Sequence, residues 1–108
     1  MAKKANLSPQ IINIAHKFTR HLQKRGIPID QTVVFGSWAK GRATKDSDID
    51  LCLVSSAFGK DEITELQMLL KETRFIDDRL EPMPVSIEDY QNTATPLIAE
   101  IKQTGLIV

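Results

Sequence analysis

Apolar residues recur along the chain in two rhythms, and the rhythms divide it into elements. Ile11, Ala15, Phe18 and Leu22 repeat at helical spacing, which makes one stripe of a helix apolar. Ser8-Pro9 supplies its start, with serine as cap and proline in the first turn; Lys24-Arg25-Gly26 supplies its end. Thr32-Val33-Val34-Phe35 is a β-branched and aromatic run that reads as a strand. From Asp48 the period changes to two: Ile49, Leu51 and Leu53 share one face, while Asp48, Asp50 and Cys52 share the other. The apolar face is expected to meet the core. Asp61–Arg74 returns to helical spacing, with Ile63, Leu66, Leu69, Leu70 and Thr73 as its expected inner face. Arg79–Ser86 is extended but holds Pro82 and Pro84, which suits a sheet edge or an irregular strand. Ser86-Ile87-Glu88-Asp89 opens a short turn of helix. Thr95-Pro96 begins a last helix that reaches the region of Gln103 and is closed by Gly105. The order helix, strand, strand, helix, strand, helix predicts an α+β fold, a small mixed β-sheet covered by helices.

Size and charge narrow the setting. A chain of 108 residues holds one modest core, so a single domain over 1–108 is expected. Acidic and basic residues balance at 14 each, which gives no overall field toward a polyanion and argues against dedicated nucleic-acid binding. Cys52 is the one cysteine and has no internal disulfide partner. No apolar run approaches the roughly 20 residues that span a membrane. Met1–Asn6 holds two lysines without an apolar stretch after them, so no secretory signal is read there. A cytoplasmic protein is the expectation.

The chemistry concentrates between the first two strands. Gly36-Ser37 ends the first strand, ten residues follow, and Asp48-Ile49-Asp50 opens the second. Glycine lets backbone approach a ligand closely, and N–H groups in a tight turn make an anion nest to which the Ser37 hydroxyl adds a donor. Lys40, Arg42 and Lys45 place three cations where a polyphosphate would lie. Asp48 and Asp50, on one strand face about 6.5–7 Å apart at the backbone, can converge on divalent metal. Hard oxygen ligands suit Mg²⁺, with phosphates and water completing its shell. The loop is no Walker A motif, because no Gly-Lys-Ser/Thr closes it. Asp46, Asp48 and Asp50 have the spacing of the first EF-hand ligands. That reading fails at Leu51, where glycine is required, and at Ala57, where glutamate is.

Together, the Gly36-Ser37 pair, the basic loop and the Asp48-x-Asp50 strand resemble the nucleotidyltransferase superfamily related to DNA polymerase β, in its minimal nucleotidyltransferase branch. Trp38-Ala39-Lys40-Gly41-Arg42 and Ser47-Asp48-Ile49-Asp50-Leu51 resemble it as well, and the order of elements extends the likeness over most of the chain. The resemblance implies a polymerase β-like palm fold and transfer of NMP from an NTP, ATP by family weighting, to an acceptor hydroxyl. It implies that Gly36 and Ser37 grip the terminal phosphates, with Lys40 and Arg42 beside them, and that Asp48 and Asp50 hold Mg²⁺, as two ions. The family adds a third carboxylate from a later strand as metal ligand and general base. Glu81 matches that place, and Asp77 and Asp78 are the alternatives. Larger members carry further domains for base and acceptor selection, which are not expected here. Minimal members often pair with a HEPN-domain partner. Some serve as its antitoxin and transfer AMP to a partner tyrosine. The other reading is a non-catalytic subunit that occupies such a partner.

Other residues suit plain structural roles. His16 and His21 lie five apart on the first helix, so they do not stack on one face as a metal pair. Cys52 is expected to be a buried structural thiol. Trp38 has two readings: reaching out to a base or a partner, or packing over the sheet end. Tyr90 has no companion acid or base. Leu106-Ile107-Val108 is apolar and docks either on its own sheet or on a partner.

Overall fold

The computed structural model describes residues 7–108, and the reading of Met1–Asn6 lies outside them. Helix α1 spans Pro9–Lys24, β1 Gln31–Phe35, β2 Ile49–Ser55, α2 Glu62–Thr73, β3 Leu80–Ser86, α3 Ile87–Gln91, α4 Pro96–Thr104 and β4 Leu106–Ile107. The strands lie in the order β3-β2-β1-β4. β1 pairs antiparallel with β2 and β4, whereas β2 and β3 are parallel and joined through α2. A parallel pair needs such a crossover, because a tight turn can only reverse the chain.

The apolar stripe of α1 is buried as its spacing requires: Ile11, Ala15, Phe18 and Leu22 are at most 1% exposed. They pack with Val34, Ile49, Leu51, Leu53, Leu80 and with Leu69 of α2 on one sheet face. The other face is also covered. Val33, Cys52, Val54 and Val85 pack there against Ile98 and Ile101 of α4. β2 is therefore buried on both sides except near Asp50, which is half-buried. Burial pushes the Cys52 thiol up to about 12, so it is an inert core group.

Four expectations change. On α2, Leu69 and Thr73 face inward, but Ile63, Leu66 and Leu70 are exposed, at 72%, 38% and 43%. The cause is Glu72, which turns inward to α1: its carboxylate accepts from Arg25 Nε and Nη2 at 2.9 and 3.1 Å and meets His21 Nε2 at 2.7 Å. Ser8 makes no side-chain cap; its carbonyl instead accepts from Ile11 and Ile12. Gly105 has φ −72°, outside the left-handed region. It is needed for close packing, because a Cβ there would lie 2.5 Å from the Ile101 carbonyl and 2.6 Å from Val33 Cγ1. The C-terminal Leu106-Ile107 forms β4 on β1, a strand absent from the expected order.

The Arg25 and His21 contacts hold the Glu72 carboxyl below its usual range. A depressed carboxylate contributes stability above its unfolded titration range and loses it as pH falls through the folded value. Glu72→Gln is expected to lower the melting temperature at neutral pH by roughly 4–8 °C. The gap between parent and variant should close in acid, which melting curves from pH 7 down to pH 3 would check.

Candidate active site

β1 delivers the chain to a turn that only glycine enters without strain. Gly36 has φ +73°, and its carbonyl accepts from Lys40 N at 3.1 Å, while Ser37 O accepts from Arg42 N at 2.9 Å. A Cβ on Gly36 would run into the Asp50 carboxylate. The turn and the aspartate are thus in direct contact, although 13 positions separate them in sequence. They meet because β1 and β2 pair with Phe35 opposite Asp50.

The far end of the loop is fastened. Thr44 N donates to Ser47 Oγ at 2.8 Å, and the indole of Trp38 donates to Ser47 O at 3.3 Å while packing on the core. Of its two readings, Trp38 takes the packing one. Ser37, Lys40, Arg42 and Lys45 are exposed on this loop. Lys40 reaches Glu100 of α4 at 3.3 Å, a surface pair of small energy.

Register sets Glu81 next to Asp50. β2 and β3 run parallel with Asp50 beside Glu81, and adjacent strands are about 4.8 Å apart. Asp48 is exposed and lies just before β2, not on it, yet near enough for its charge to act on Asp50. Asp77 is committed elsewhere: Arg79 donates to it from its backbone N–H, Nε and Nη2 at 2.9–3.1 Å. That contact holds the Asp77 carboxyl below its usual range. Asp78 lies outside the strand, exposed. Arg79 also donates to Lys45 O at 2.8 Å, and its own carbonyl accepts from Ile49 N at 2.7 Å. It therefore ties the loop before Asp48 to the strand that carries Glu81, a role the sequence did not reveal.

Partial burial, then the charges of Asp48 and Glu81, push the Asp50 carboxyl above its ordinary range. Among the described residues, no lysine, arginine or histidine forms an ion pair with Asp48, Asp50 or Glu81. Nor does any group of three such side chains stand in ready coordination geometry among them. Like charges hold one another apart, so the acids are neighbours without being a closed cage.

A groove of about 610 Å³ opens beside Asp50 and Glu81, with Phe35, Met83, Leu97 and Ile98 among its walls. Spacing could not reveal it, because its walls come from β1, β2, β3 and the three helices α2, α3 and α4. Two other residues are occupied locally. His21 is engaged with Glu72, and Lys102 Nζ lies 4.9 Å from the centre of the Tyr90 ring. Among the described residues, no helix is long and apolar enough to cross a membrane.

Comparison with known proteins bears on the fold and the family. The chain is similar to a crystal structure from Sulfolobus solfataricus described as a candidate nucleotidyltransferase: TM-score 0.54, 15% identity, 94% of this chain and 88% of that one. At that identity the likeness concerns the fold. No curated protein matches the sequence. The family model "Polymerase beta, Nucleotidyltransferase" matches residues 11–108, nearly all of the described structure, and the chain belongs to that family.

Proposed function

We propose that the chain is a single-domain, Mg²⁺-dependent nucleotidyltransferase that moves NMP from an NTP, ATP in the first instance, to an acceptor hydroxyl. The observation that carries this is the contact between Gly36 and the Asp50 carboxylate, which sets the Gly36-Ser37 turn against an acid. In this reading Gly36 N–H and the Ser37 hydroxyl bind the terminal phosphates, and Lys40 and Arg42 offset their charge. Asp48, Asp50 and Glu81 fit a hard divalent cation: all three offer carboxylate oxygens, and their mutual repulsion is relieved when a cation is shared. When bound, Mg²⁺ would neutralise charge on the transferred phosphoryl group. Glu81 takes the proton of the acceptor hydroxyl as its oxygen bonds to the α-phosphorus. The bond from that phosphorus to the bridging oxygen breaks, and pyrophosphate leaves with the electron pair.

The resemblance to the minimal branch supports a HEPN-type protein as partner and acceptor, with an antitoxin role. Exposed Ile63, Leu66 and Leu70 on α2, with Phe75 beyond it, favour a partner surface and keep the second reading, a non-catalytic binding subunit, in play. The test is label transfer from α-³²P-ATP with Mg²⁺, for the chain alone and with the product of the adjacent gene. Label on the partner supports the enzyme. A stable complex that takes label from no NTP supports the binding subunit.

A further inference from the structure

The groove beside Glu81 has a composition that bears on the acceptor. Asp50 and Glu81 line it, but Gly36, Ser37, Lys40 and Arg42 do not. It therefore reaches the acid pair without including the phosphate turn, although Phe35 before that turn is one of its walls. Phosphoryl transfer places attacking and leaving oxygens roughly in line across the phosphorus. A triphosphate tail on the turn leaves the groove as the side from which the acceptor arrives.

Its lining contains no lysine, arginine or histidine. Besides Asp50 and Glu81, Glu62 of α2 and Asp89 of α3 contribute carboxylates, and Met83 and Leu97 contribute apolar surface. Nucleic acid is held largely through cations on its phosphates, so a polynucleotide end would meet repulsion here. The edge of β3, where buried Pro82 and part-buried Pro84 line the groove, adds a second constraint. Ile49 N donates to Arg79 O, which sets residues 79, 81, 83 and 85 toward β2 and turns Pro82 and Pro84 outward. Proline has a carbonyl and no N–H, so at these positions the edge offers acceptors only. Peptide N–H groups and basic side chains are the matching donors.

We propose that this groove is the acceptor site, and that it selects an extended polypeptide segment in which apolar and basic residues flank the reacting serine, threonine or tyrosine. The proposal rests on the nucleotidyltransferase reading above. Glu62 and Asp89 are the selecting charges, since bound cation would satisfy Asp50 and Glu81. Neither touches the phosphate turn.

The test uses the full chain with Mg²⁺ and α-labelled NTP. The acceptors are short peptides of alternating leucine and lysine, or leucine and glutamate, around one central hydroxyl residue, and a single-stranded RNA with a free 3′ hydroxyl. The lysine peptides are expected to take label about tenfold or more faster than the glutamate peptides, and the RNA to take none. Glu62→Lys with Asp89→Lys should invert the peptide preference while Mg²⁺-dependent NTP binding, read by calorimetry, stays the same. Label on RNA, equal use of both peptide charges, a preference unmoved by the double variant, or no labelled peptide from protein that binds NTP would each overturn the proposal. Absence of any NTP binding would overturn the underlying nucleotidyltransferase reading instead.

Discussion

Asp50→Asn is expected to lower nucleotide transfer by at least about a thousandfold while leaving the protein as stable as the parent, or more so. The two effects share a cause. Asp50 is half-buried, and Asp48 and Glu81 add like charge beside it, so its ionised form is disfavoured in the folded state. A carboxyl raised in this way binds its proton more tightly folded than unfolded. Its charge therefore costs stability at neutral pH, and the cost is relieved as pH falls through the folded value. Asparagine keeps the shape and removes the charge. It also removes a ligand oxygen that a hard cation needs. Label transfer and melting curves on the same preparations check both halves. Added Mg²⁺ should raise the melting temperature of the parent and leave Asp50→Asn unmoved. Asp48→Asn should show the same loss of transfer. Activity that survives in the double variant would remove the acid pair from the mechanism.

Gly36→Ala should cost about a hundredfold in transfer, with only a modest loss of stability. At φ +73° an alanine pays about 1–2 kcal/mol for the left-handed conformation. Its methyl would also occupy the place of the Asp50 carboxylate. The carboxylate must swing away or the turn must open, and a displacement near 1 Å at reacting groups is worth about that loss of rate. Transfer rates and Mg²⁺ titrations of parent and variant give the readout: the variant should need more Mg²⁺ as well as run slower. Gly41→Ala is the control. Gly41 has φ +72°, so its conformational strain is similar, but a Cβ there meets nothing within 4 Å. Equal loss in both variants would show that turn strain, and not the contact with Asp50, sets the effect.

How much of this was legible in the sequence depended on the range of each interaction. Strand β3 was read as an edge or an irregular strand because Pro82 and Pro84 cannot serve both sides of a ladder, and it lies at the edge. Helix α2 was read in the right place, but only Leu69 and Thr73 of its expected inner face turn inward. Ile63, Leu66 and Leu70 fit an apolar stripe as well as Leu69 does, and spacing alone carries no sign that Glu72 would turn inward to Arg25 and His21. β4 was missed as a strand because two residues show no period; only the open edge of β1 gives them a partner.

Local chemistry decided what sequence alone could decide. The stripe on α1, the Gly36-Ser37 turn, the basic loop and the face shared by Asp48 and Asp50 all follow from backbone periods and residue preferences that act within a few positions. The tertiary structure decided what depends on pairing across the chain. It set Asp50 against Gly36 and beside Glu81, engaged Asp77 with Arg79, packed Trp38 against the core and opened a groove among strands and helices far apart in sequence. The reason is register. β2 and β3 are joined through a whole helix, and a slip of one residue would turn Glu81 to the opposite face; only packing and ladder hydrogen bonds prevent it, and neither is written in the local order of residues.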